Sequence, residues 1–434
     1  MAATPSSDLL ELLAVPSVSS EPVHAPDMRR AAEWIAERLA FAGGRVVETG
    51  GHPAVLAEWL GAPGAPTILV YGHYDVQPPG DLAAWTTPPF EPSVRDGRIY
   101  ARGATDDKCP VFVALETARQ LFARDGALPL NVRFLIEGEE EIGSPSLGPF
   151  LAANRESLAC DVVVSTDGAM WRPSEPSIAV AAKGLLGMEL VVEGPVSDLH
   201  SGRHGGAVLN PNHALAAIVA SFHDANGRVA VPAFYEDVAP AGDLSHVPFD
   251  ESAYRAEVGV PELHGEPGFS TLERLWARPT LDVNELRGGG AFTVIPGRAT
   301  AYVTCRLVPD QDPQRLFDAI AAHVAAVAPA AVHAHVELLP GAVPAYSISE
   351  DDRAVQAGVA ALRSVYPEIE PLLVRIGGTL PAATLFEREL GVKTLLFSFS
   401  ISDEQLHAPN EFFRLPRIDE GIAAWTTLWE LLAR

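Results

Sequence analysis

The sequence predicts an α/β protein. A discontinuous α/β domain, with a mostly parallel sheet and helices on both faces, is interrupted by a smaller ferredoxin-like α+β domain. Three observations carry this reading. Short apolar runs alternate with amphipathic helical segments towards both ends of the chain. In the middle the order changes to β-α-β-β-α-β. The length of 434 residues suits two or three domains rather than one. The predicted boundaries are 1–182 and 345–434 for the first domain and 183–344 for the second.

Residues 27–42 place Ala31, Trp34, Ile35 and Leu39 at helical spacing. The run Thr67–Tyr71 reads as a buried strand bounded by turn residues. Pro110–Arg124 reads as an amphipathic helix, and Asn131–Ile136 and Asp161–Ser165 as further strands. Lys393–Phe399 is a late strand and Ile418–Leu432 a closing helix. Within the second domain the predicted order is strand Leu185–Val192, helix Pro211–Ala225, and strands Phe292–Ile295 and Ala299–Leu307. Helix Pro313–Val327 and strand Val332–Leu339 complete it. The stretch 227–291, rich in Pro, Gly and charge, is expected to be irregular, with weak helical content around Thr271–Ala277.

Composition excludes several classes. Hydrophobic residues are 47% and charged residues 20%, which is globular and not disordered. No window of about 18 apolar residues exists, so no membrane-spanning helix is expected. The first residues lack a basic region and carry Asp8 and Glu11, against a secretory leader. Three scattered cysteines fit a reducing compartment, and the expected location is the cytoplasm. A net charge of −25 disfavours nucleic acid as a partner.

Four polar motifs directly follow predicted strands. These are Gly72-His73-Tyr74-Asp75, the run from Glu137 to Ser144, Thr166-Asp167-Gly168, and the loop holding His407. A fifth, Arg102 to Lys108, precedes a helix. Ligands in open α/β sheets bind beyond the carboxyl ends of strands, so parallel strands bring these groups to one edge. Two histidines with several carboxylates there form the ligand set of a two-metal hydrolytic site. Each motif also has a bland reading: Asp106 can cap a helix, Asp167-Gly168 can be a turn, and an acidic run is usually solvated. Their joint occurrence at matching positions favours the metal site.

The segments YGHYDVQP, RGATDDK, EGEEEIGS, STDG, DLHSGRHGG, TVIPGRATAYVTCRLVP and LHAPNE resemble the signatures of M20 metallopeptidases, nearest the carnosinase-like cytosolic dipeptidases. The resemblance runs from about residue 8 to the C-terminus. It implies that His73, Asp106 and Asp167 bind one divalent ion and Asp106, Glu141 and His407 a second, with Asp106 bridging. The ions would be zinc, with manganese or cobalt as alternatives. Asp75 would orient His73, and Glu140 would act as general base on a water between the ions. Glu139 remains an alternative to Glu140 or Glu141 in register.

The resemblance further implies that His200 reaches the active site of a neighbouring subunit, in a homodimer formed through the inserted lid domain. Arg306 would hold the carboxylate of a small peptide substrate, with Thr293, Gly378 and Thr379 as weaker contacts. Two positions depart from the pattern. Asp107-Lys108-Cys109 stands where relatives often show Asn-Lys-Gly, adding charge and a thiol near the metals. Ile376 precedes the double glycine where relatives often carry an acid. The implied activity is hydrolysis of a dipeptide amide bond. An N-acyl-amino-acid deacylase of the acetylornithine or succinyl-diaminopimelate type, and a catalytically inactive binding protein, are the rival readings.

Overall fold

A computed structural model describes residues 5–240 and 242–434. Residues 1–4, which open the predicted first domain, lie outside the described residues. The chain divides into two compact units: 1–180, 348–374 and 381–434 form one, and 181–347 with 375–380 form the other. Residues 375–380, expected within the first domain, group with the second unit.

The first unit is built on a mixed sheet. Its strands run in the order Arg45–Val47, Ala54–Trp59, Asn131–Glu137, Thr67–His73, Val162–Ser165, Thr394–Leu396 and Ser177–Ala182. The four central strands are mutually parallel, and antiparallel strands flank them. The strand TILVYGH is apolar along almost its whole length because both of its faces are covered. Leu69, Tyr71, Leu135 and Val163 pack under helices Leu147–Ala153 and Pro381–Leu390. On the other face lie helix Cys109–Asp125, which contacts Thr67–His73, helix Pro416–Leu432 packed against it, and helix Arg353–Val365 packed against Pro416–Leu432. Pro110 sits in the first turn of Cys109–Asp125, where no backbone donor is lost. Gly126, at φ 68°, closes that helix by donating to Phe122 O.

The register aligns the strand ends. His73 is the Cα partner of Glu137, and Ser165 that of Leu396. The four motif-bearing strands therefore finish at one edge. The late strand is shorter than predicted, Thr394–Leu396. Phe397 and Phe399 are instead buried with their rings edge-on to each other, and Phe397 is also edge-on to Trp425.

The second unit is a four-stranded antiparallel sheet in the order Thr280–Gly288, Arg298–Leu307, Gly184–Glu193, His333–Leu338. Helices Pro211–Ala220 and Pro313–Val327 cover one face, with Leu215, Ile218, Leu316 and Ile320 meeting Met188, Leu190 and Val303. This is the β-α-β-β-α-β arrangement, but its second strand differs from the prediction. Thr280–Gly288 fills that place, inside the stretch expected to be irregular. It is an edge strand with mostly exposed residues, and a bulge between Val283 and Glu285 breaks its two-residue period. The run predicted at Phe292–Ile295 shrinks to Val294–Ile295, which pairs outside the main sheet with Leu199–His200. Helix Thr271–Trp276 is present with a Ser270/Glu273 capping box, and a further helix, Glu251–Val258, is capped by Asp250. The helix predicted to reach Ala225 ends at Ala220, because Asp224 turns the chain by accepting the Asn226 and Arg228 N–H groups.

Candidate functional site

Two clusters of potential ligands form at the carboxyl edge of the parallel strands. His73, Asp106 and Asp167 offer ligand atoms within 4.8 Å of one another, and so do Asp106, Glu141 and His407. Asp106 belongs to both. Its Oδ1 lies 3.1 Å from His73 Nε2 and its Oδ2 lies 3.0 Å from His407 Nε2. His407 Nε2 is also 3.3 Å from Glu141 Oε2. Each cluster has one imidazole nitrogen, two carboxylates and no sulfur, a donor set that suits zinc, manganese or cobalt.

The local chain explains why these groups converge. His73 closes its strand fully buried, and Asp75, also fully buried, lies behind it, with Oδ1 3.4 Å and its backbone O 3.1 Å from His73 Nδ1. The same carboxylate accepts the Glu140 N–H at 3.2 Å and the Glu141 N–H at 3.1 Å. One side chain thus fixes both a histidine and the acidic loop. Gly72 is required beside it: a Cβ there would stand 2.2 Å from Thr166 Oγ1 and 2.8 Å from Asp107 Oδ2. The Asp106–Asp107 peptide is cis.

The electrostatics are those of a site that favours cations. Burial pushes Asp167 up to about 6 and Glu140 well above the carboxylate range. Hydrogen bonds to Asp106 and Glu141 push His407 up to about 10. Burial disfavours a charged His73, but hydrogen bonds to Asp106 and Asp75 outweigh it and hold this imidazole well above its usual range. Burial likewise opposes ionisation of Asp106, yet hydrogen bonds from His407 and His73 hold it below the usual carboxylate range. Without cations, protons offset the crowded negative charge.

The carboxylate of Glu139 is not in either cluster. It accepts the His52 and Ser146 N–H groups at 2.9 and 3.2 Å. Glu140 sits among His73, Asp106, Asp167 and Glu141 electrostatically. Nor do Lys108 and Cys109 join the clusters. Lys108 Nζ donates to Leu12 O and Val15 O, and the Cys109 thiol is buried and pushed well above its usual range by that burial.

The model of peptidase family M20/M25/M40 matches residues 69–431, most of the chain. The chain belongs to that family. Among its M20 relatives is the Cys-Gly metallodipeptidase of Candida albicans, 29% identical, with 93% of this chain and 89% of that protein covered. Human Beta-Ala-His dipeptidase is also 29% identical, over 83% of this chain and 73% of that one. Among solved structures, human carnosine dipeptidase 1 matches at TM-score 0.79 and 28% identity, covering 98% of this chain and 95% of that one. The M20 metallo-carboxypeptidase Sso-CP2 of Sulfolobus solfataricus matches at TM-score 0.84 and 29% identity, covering 99% and 100%. These relatives put the chain in the carnosinase-like dipeptidase branch of M20.

In the second unit the predicted residues fall into two groups. His200 is exposed, and its Nδ1 accepts the Gly202 N–H at 3.1 Å, capping a short turn of helix. Thr293 lies beside it, through Ser201 N–H to Thr293 O at 2.9 Å. Arg306 is half-buried and donates from Nη1 to Thr379 Oγ1 at 2.8 Å, next to the exposed Gly378.

Sequence reasoning does not reveal several residues of this M20 site. Gln77 Nε2 donates to Glu141 Oε2 at 2.9 Å and to Glu141 O at 3.1 Å, steadying that carboxylate and its loop. Its one signal is its place two residues after Asp75. Asp107, which reads in the sequence as added charge, accepts the Thr166 hydroxyl at 2.5 Å and the His73 N–H at 3.3 Å, with burial raising it well above the carboxylate range. Glu411 and Arg102, both fully buried or nearly so, pair at 2.7 Å. Glu411 ends the LHAPNE motif, but nothing in its spacing tells a buried strut from a turn residue.

Proposed function

We propose that this M20 peptidase hydrolyses dipeptides with two divalent ions, zinc first among them, held by His73, Asp106, Asp167, Glu141 and His407. The observation that carries the reading is the pair of ligand clusters sharing Asp106, beside the half-buried Glu140. Two bound ions would polarise the scissile carbonyl and make a water acidic near neutral pH. Glu140, raised by burial, takes the proton of that water and delivers it to the leaving amine, so that one C–N bond is broken and one C–O bond formed. Asp75 holds His73 and the Glu140–Glu141 backbone in place.

Arg306 recognises the substrate carboxylate, supported by its tie to Thr379, with Gly378 alongside. His200 and Thr293 act from the inserted unit, His200 across a homodimer onto the carbonyl oxygen. Their exposure leaves them available for that role. The cytoplasm is the proposed location: Cys109, Cys160 and Cys305 are all free, as a reducing compartment requires, and no helix among the described residues is long and apolar enough to cross a membrane.

A deacylase is not favoured, because the similar curated proteins are dipeptidases. The likeness to Sso-CP2 supports a second reading, removal of a C-terminal residue from longer peptides. Metal analysis with a panel of dipeptides, N-acyl amino acids and tetrapeptides separates them. Dipeptides should be cleaved fastest in a protein holding two ions per chain. Faster tetrapeptide trimming establishes the carboxypeptidase, and failure on every amide in the metal-loaded protein overturns the proposal.

A further inference from the structure

We propose that Glu411 is the positioning residue for Asp106, and through it for both metal sites. The inference rests on the two-cluster reading. Glu411 is 0% exposed, and its two oxygens receive four N–H groups from one short segment. Oε1 accepts from Thr105 at 2.9 Å and Asp106 at 3.2 Å. Oε2 accepts from Gly103 at 2.8 Å and Arg102 Nη1 at 2.7 Å. A carboxylate has about four lone-pair positions, so this one is saturated by the segment that carries Asp106. The Ala101 N–H returns a bond to Glu411 O at 3.2 Å.

A ligand shared by two ions has a stricter requirement than an ordinary one. A small backbone rotation that improves Asp106 Oδ1 towards His73 spoils Oδ2 towards His407. Wrapping the backbone N–H of Asp106 and its neighbours on one anion removes that freedom. The segment holding the anion also carries His407, and it is tied in twice more. Glu404 Oε2 accepts the Thr105 hydroxyl at 2.6 Å, and the Ser400 hydroxyl donates to Thr105 O at 2.5 Å. Glu411 therefore sets Asp106 relative to its partner ligand, not merely relative to the core. Arg102, 1% exposed, supplies the one charged donor to this carboxyl, against the burial that raises it to about 7.

The test is metal affinity by competition with a chelator, in wild type, Glu411→Gln, Glu411→Asp and Asp106→Asn/Glu411→Gln. Glu411→Gln turns one acceptor into a donor facing N–H groups. It should weaken retention of zinc by about 10–100-fold, the usual effect of losing a group that holds a metal ligand. It should also lower kcat more than KM, and shift the absorption of the cobalt-substituted protein. Glu411→Asp, which keeps the charge, should recover part of the affinity. In the Asp106→Asn background, Glu411→Gln should cause little further loss of affinity while still lowering Tm.

Wild-type affinity in a folded Glu411→Gln protein, or losses that simply add in the double variant, overturns the inference and leaves Glu411 a structural ion pair. If Glu411→Gln does not fold, Glu411→Asp carries the test, since its shorter carboxylate keeps the charge but cannot reach all four N–H groups. Weakened zinc retention then supports the inference and unchanged retention overturns it. A wild type that binds no divalent ion would instead bring down the two-cluster reading itself.

Discussion

The buried side of the ligand clusters in the first unit and the His200–Thr293 pair of the second are built in opposite ways. His73 and Asp75 are fully buried, and Asp106 is hydrogen-bonded through both oxygens. His200 and Thr293 are exposed, and the His200 side chain makes a local capping bond to the Gly202 N–H. The difference follows from the tasks proposed for them. A metal pair demands donors fixed before the ion arrives, and the cost of gathering charge is met by dense hydrogen bonding. A substrate contact forms only when substrate is present, so it must stay open to solvent until then.

Breaking the shared ligand should have the largest effect. Asp106→Ala removes a donor from both clusters, so both ions should be lost and hydrolysis should fall to background. Prolonged chelation of the wild type should do the same, reversed by zinc or manganese. Full activity after exhaustive EDTA dialysis would sink the two-metal site. Glu140→Gln should come next, lowering hydrolysis by about 10²–10⁴-fold with metal content near normal. Metal loss with little intrinsic loss of rate would make Glu140 a ligand and not the base.

The same contrast explains what is legible in the sequence. Buried apolar strands announce themselves, and a histidine or acid immediately after such a strand has its position set by topology. The strand pattern alone therefore places His73, the run from Glu137 to Ser144 and Asp167 at one edge, because the parallel register aligns the strand ends that precede them. Thr280–Gly288 leaves no such pattern. Its charges and its bulge erase alternation, because an edge strand facing water needs little apolar surface. Glu411 and Asp107 escape for a different reason. Their work is done through hydrogen bonds to backbone N–H groups far away in sequence or to Thr166, and a hydrogen-bond acceptor leaves no periodic trace.

The second unit's looser residues call for a subtler break. The double variant His200→Ala/Glu140→Gln should be mixed with wild type so that subunits exchange. If His200 serves the neighbouring subunit, each heterodimer has one site without its base and another without its histidine, and both fail. If His200 serves its own subunit, each heterodimer keeps one working site in two. Heterodimers with that remaining activity, or a monomer by light scattering, would remove the shared-site part of the proposal. The stability of either subunit should scarcely change, since His200 is exposed.

The smallest effect expected is one of pH on stability, and its sign separates protons from metal in the first unit. His407 is raised to about 10 and His73 is raised well above the ordinary imidazole value of about 6.5. A group raised in the folded state binds its proton more tightly there than in the unfolded chain. Its contribution is complete below the unfolded value and disappears as pH rises through the folded one. Asp167, raised from 3.8 to about 6, acts in the same direction over a lower range. Chelator-stripped protein should therefore lose Tm steadily from about pH 6.5 to 10. Divalent ions replace those protons, so the gain in Tm on adding zinc should grow over the same interval. The net charge of −25 also disfavours folding as pH rises, and that part is common to every variant. The site's own share is the difference between stripped wild type and stripped His407→Gln, in which the decline should be shallower. Parallel declines in the two proteins would mean that the imidazole of His407 holds no extra proton when the ions are absent.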